Sequence, residues 1–154
     1  MELDITEFFN ACARIRKGLN MASAEQLAVM ADHFIIAAIW ADAQEGTHPR
    51  ATKKARAAAL RICTRFAELA GELLDEATQR EWYGSHHDCG TNHPAFAAAG
   101  HDLYLTSQGH GVGFWDRDEL DEGELGDKLT AVCESMHFYH EFYRGWLYFN
   151  GSDA

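Results

Sequence analysis

Apolar residues recur at helical spacing as far as residue 80, and from residue 101 they alternate instead. No other feature constrains the fold as much, because the period of burial separates helix from strand. Asp4-Ile5-Thr6-Glu7 reads as a capping box opening a helix over 4–19, with Ile5, Phe8, Phe9, Cys12 and Ile15 as its stripe. Ser23 followed by Gln26 opens a second helix over 23–41. Its apolar face, Leu27, Met30, Phe34, Ala37, Ala38 and Ala41, is widened by Ile35, Ile36, Ile39 and Trp40. Ile62, Phe66, Leu69 and Leu73 step by four, three and four and predict a third helix over 52–77.

Residues 81–99 (EWYGSHHDCGTNHPAFAAA) lose all period and read as an irregular loop. His101–Thr106 then alternates, as does Val112–Trp115, and Ser107-Gln108-Gly109-His110-Gly111 between them supplies turn glycines. This predicts a hairpin. A helix over 124–137 follows, with Leu125, Leu129, Val132 and Met136 buried. A second hairpin closes the chain, 138–143 and 146–149, turning at Arg144-Gly145. The expectation is an α+β fold in one domain spanning residues 1–154. It has a helical part (1–80), the irregular loop (81–99) and a small antiparallel ββαββ unit (100–150).

The block GHDLYLTSQGHGVGFWDR, Gly100–Arg117, resembles the signature of a family of small uncharacterised proteins of bacteriophages and bacterial mobile DNA. That family typically reads GHDFWLTRNGHGAGFWDR here. Leu125-Gly126-Asp127-Lys128-Leu129-Thr130 is similar to its later LGDRLT helix, Ile39–Asp42 to its ALW helix, and Cys63–Phe66 to its C-x-x-F helix. The likeness covers roughly residues 30–150. Ser107-Gln108 replaces Arg-Asn, Leu103-Tyr104 replaces Phe-Trp, and the 81–99 loop has no counterpart. The resemblance implies a phage or prophage setting, hence the cytoplasm of a bacterial host, and no particular reaction.

Charge narrows the partners. The formal net charge is −11, so free nucleic acid is repelled over most approaches. Arg50, Lys53, Lys54, Arg56, Arg61 and Arg65 hold six of the thirteen basic residues, and a basic helix over 50–65 is the alternative nucleic-acid surface. Asp116–Asp127 holds seven carboxylates against one arginine. The favoured expectation is a non-enzymatic accessory protein that binds a host or phage protein, for instance to inhibit a defence or nucleic-acid enzyme. Its contact surface is Asp116, Asp118, Glu119, Asp121, Glu122 and Glu124, with Tyr143 and Trp146 from the aromatic C-terminal hairpin.

The alternative is a metal-dependent, hydrolytic enzyme. Imidazole, thiolate and carboxylate bind zinc or another divalent ion. The candidates are His86, His87, Cys89 and His93 in the loop, and His101, His110 and Asp116 around the first predicted hairpin. Otherwise those side chains order turns, and no cofactor is needed. No serine lies in a nucleophile elbow, and Gly109–Gly113 lacks the lysine and helix of a phosphate loop. The four cysteines lie far apart and read as free thiols. No run of eighteen uninterrupted apolar residues indicates a membrane span, and the acidic start MELDITEFF reads as mature sequence. The oligomeric state is left open.

Overall fold

The computed structural model describes residues 22–87 and 90–154. The expected helix over 4–19, Cys12 and Cys89 lie outside the described residues. The fold is α+β: five α-helices and a three-stranded mixed sheet among the described residues. Helix α1 (Ala24–Asp42) starts with the expected box, the Ser23 hydroxyl accepting from the Gln26 amide and the Gln26 side chain from the Ser23 amide. Met30, Phe34, Ala37 and Ala38 are its fully buried residues. By length and hydropathy α1 also passes for a membrane span. Here its apolar face packs along a later helix as the middle of one continuous core.

Strand β1 (Arg50–Ala51) leads into helix α2 (Lys53–Ala70), capped by Thr52. The expected single helix over 52–77 divides at Gly71, whose φ of +52° halts the helical path, and resumes as α3 (Glu72–Gln79). A short 3-10 turn follows at Ser85–His87.

The first predicted hairpin is not formed. Helix α4 runs from Pro94 to Ser107, so the irregular stretch ends at His93 and both expected strands are absent. The physical reason is burial. Ten of the fourteen residues of α4 are buried, including Asp102 and Thr106, so no polar face marks the helical period. Leu103-Tyr104-Leu105 imitates strand alternation only because a polar-tipped tyrosine sits between two leucines. Pro94 at the first turn was a helix start signal. Beyond α4, three 3-10 turns (Phe114–Asp116, Asp118–Leu120, Glu122–Glu124) carry the acidic segment to helix α5 (Leu125–Glu134). The expected ββαββ unit is therefore reduced to its helix and its last two strands.

Those strands, β2 (Tyr139–Tyr143) and β3 (Trp146–Asn150), pair antiparallel in the expected register, turning through Arg144 (φ +48°) and Gly145 (φ +81°). Positive φ at both central residues matches the twist of a tight hairpin. The sheet order is β1-β3-β2, and β1 runs parallel to β3, with Arg50 opposite Trp146. Leu147 and Phe149 turn inward onto the helices. Tyr139, Tyr143 and Trp146 turn outward. Cys63 and Cys133 are buried free thiols.

Helices α1 and α4 make the most extensive contact between elements among the described residues. A Cβ at Gly100 would collide with the carbonyl oxygen of Met30, so only glycine lets the two backbones meet at this depth.

Candidate metal centre

One residue beyond Gly100, His101 leaves α4 toward α1 and meets His33. His87 arrives from the 3-10 turn. Gly84 (φ +87°) lies so tightly under the start of α4 that a Cβ there would strike the Pro94 carbonyl, and the Gly84 carbonyl accepts from the His87 amide at 2.8 Å. The rings of His87 and His101 lie 4.6 Å apart, those of His33 and His101 5.4 Å, and those of His33 and His87 5.8 Å. One nitrogen from each ring lies within 4.8 Å of the other two. Nitrogens around a tetrahedral zinc are about 3.3 Å apart, so small side-chain rotations close the set. Nδ1 of His33 is buried and has no hydrogen-bond partner among the described residues. A bound ion, or a ring turned toward one, would satisfy it.

The surroundings keep these rings neutral. Burial lowers the pKa of His101 to about 4, helped by His87, His33 and Arg117. Burial likewise lowers His87, and lowers His33 against the opposing pull of Asp32. A neutral imidazole offers the lone pair that a metal takes. Beneath the trio, the fully buried Asp102 accepts from Arg117 Nε (3.0 and 3.1 Å) and Nη2 (2.6 Å), and from the Tyr83 hydroxyl at 2.8 Å. Burial pushes the Asp102 carboxyl up, and the guanidinium and hydroxyl restrain the rise. This ion pair ties α4 to the 3-10 turn that follows it, and the Tyr83 hydrogen bond adds the segment that leads to His87.

Two cavities flank the centre. On one side Tyr83, His86, His87, Asp116, Arg117 and Asp118 enclose about 200 Å³. On the other, Ile36, Trp40, His87, His101, Leu105, Val112 and Arg117 line an apolar cleft of about 410 Å³. His33, Ile36 and Trp40 are three and four residues apart on α1, and His101 and Leu105 four apart on α4. The trio therefore sits in the groove between the two helices, and the cleft runs from it along both.

Of the residues proposed from sequence, His87 and His101 converge. His86 is exposed on the cavity wall, and Asp116 lines the same cavity beyond Arg117. His93 faces Glu25 at 3.5 Å. His110 departs because α4, unlike the expected hairpin, carries it away from His101. Its Nε2 donates to Asp42 Oδ2 over 3.0 Å. There Tyr104 also donates to Asp42, at 2.5 Å, and meets His140 Nδ1 at 2.8 Å. Burial would raise Asp42, but the hydrogen bonds from Tyr104 and His110, with the charge attraction of His110 and His140, outweigh it and leave the carboxyl lowered. This second cluster joins Asp42 of α1, Tyr104 of α4 and His140 of β2.

His33 is the residue the sequence pattern did not single out. Its one signal was an imidazole within a largely apolar helix, and that signal is more often a structural histidine than a ligand. The acidic residues Asp116, Asp118, Asp121, Glu122 and Glu124 are exposed, whereas Glu119 is half-buried. The backbone carbonyls of Glu119 and Glu122 accept from Arg80. No ion pair joins the acidic segment to the basic face of α2 among the described residues. No family model, curated protein or solved structure matches the chain.

Proposed function

We propose that the chain is a metal-dependent protein whose three-histidine centre holds a zinc-type divalent ion and supports hydrolysis of a small substrate. The observation that carries this reading is the convergence of His33, His87 and His101 from three separate elements. Three neutral imidazoles leave the fourth position of a tetrahedral ion open, the arrangement that catalytic zinc sites use. Imidazole donors favour zinc, copper, nickel or iron over magnesium or calcium. The cleft shared by His87 and His101 gives that position access to solvent and substrate. Such an ion polarises a carbonyl and lowers the pKa of its bound water.

The test is a zinc titration of metal-free protein, followed by calorimetry and by thermal melting. One equivalent should bind and raise Tm, and His33→Gln and His101→Gln should each weaken binding by about tenfold or more. Binding unaffected by both substitutions, or no binding, removes this reading.

A second reading has its own observation. Tyr139, Tyr143 and Trp146 are each more than two-fifths exposed on the outward face of the sheet, beside no covering element among the described residues. Aromatic residues exposed together suit a protein contact. This supports protein binding, the role expected of an accessory protein that contacts a host or phage protein. A pull-down from bacterial lysate with wild-type protein and with Tyr143→Ala/Trp146→Ala tests it. A partner retained equally by both proteins, or none with either, counts against this face.

A further inference from the structure

We infer that the cleft beside the three histidines binds a small molecule with an apolar chain ended by a carboxylate or carboxylic-ester group, an inference that rests on the metal reading above. The chemistry of the walls divides into two parts. One end holds His87 and His101, two of the three rings of the centre, together with Arg117. Arg117 spends Nε and Nη2 on Asp102, and Nη1 makes no hydrogen bond among the described residues. An ion with an open position and a guanidinium nitrogen beside it both favour an oxygen acceptor carrying negative charge or a polarised carbonyl.

The rest of the cleft, Ile36, Trp40, Leu105 and Val112, offers no hydrogen-bonding group except the Trp40 indole. Trp40 is 74% exposed and Ile36 48%, although both belong to an apolar helix. A large aromatic left at the rim of an apolar cleft gains most from covering a ligand chain. The volume, about 410 Å³, lies within the range of small-molecule sites. Because the head is held at the histidines and the chain under Trp40, the ligand lies along the α1–α4 groove.

The probes are octanoate and acetate, titrated calorimetrically into zinc-loaded protein whose zinc content is measured first. Octanoate should bind at least about tenfold more tightly than acetate, since each buried methylene adds to affinity. Trp40→Ala, a change at an exposed position, should abolish most of that difference, read on variant protein whose zinc content is again measured first. Equal binding of the two acids by zinc-loaded protein, or an octanoate preference untouched by Trp40→Ala, overturns this inference and leaves the metal reading standing. Failure to take up zinc, read in the separate metal measurement, overturns both.

Discussion

Arg117 and Asp102 show how a single pair can set the stability of this region. Asp102 is 1% exposed and Arg117 offers it two nitrogens in a fork. Removing the arginine strands a carboxylate inside the protein. Arg117→Met should therefore cost about 3 kcal/mol or more, measured by urea unfolding, although replacing the whole pair would cost less. Tyr104→Phe tests the other polar cluster. It strips a donor from Asp42 and a partner from His140, and about 1–2 kcal/mol should be lost. Titration gives a third prediction. His101 has a folded pKa of about 4 against an ordinary 6.5, so the unfolded chain takes up the proton first. Stability of the metal-free protein is whole above pH 6.5 and falls progressively as pH drops toward 4. His101→Gln should flatten that part of the Tm–pH curve, and an unchanged slope would contradict the buried, neutral ring.

At the scale of elements, the contact between α1 and α4 governs the site. Gly100→Ala places a methyl group against the Met30 carbonyl, and backbone cannot swing aside as a side-chain tip can. The variant should lose about 2 kcal/mol or more and bind zinc more weakly, because His101 and His33 are forced apart. Legibility in the sequence also divides by element. The start of α1 was readable because Ser23 and Gln26 act locally on their own backbone. The last hairpin was readable because half of its residues face water and the alternation survives. Helix α4 was not, because burial on all sides removes the polar face from which a period is read. The same burial conceals the centre: a strand at His101 would set His110, nine residues on, across from it, whereas the helix turns His101 toward His33.

For the whole molecule, the formal net charge of −11 is spread over a 154-residue chain, with few ion pairs among the described residues to offset it. Self-repulsion of exposed carboxylates is screened by salt, whose Debye length is about 10 Å at 0.1 M. Raising sodium chloride from about 0.02 to 0.2 M should thus raise Tm, and a fall would show that attractive surface pairs dominate instead. The sequence by itself determined those features whose physics is local or periodic: the α+β class, the capping box, the tight turn at Arg144-Gly145, the buried thiols Cys63 and Cys133, and the acidic surface. Only the tertiary structure decided that residues 33, 87 and 101 share one point. Their meeting depends on how closely two helices pack at a glycine, and a contact between residues 68 positions apart leaves no period in the chain from which it could be read.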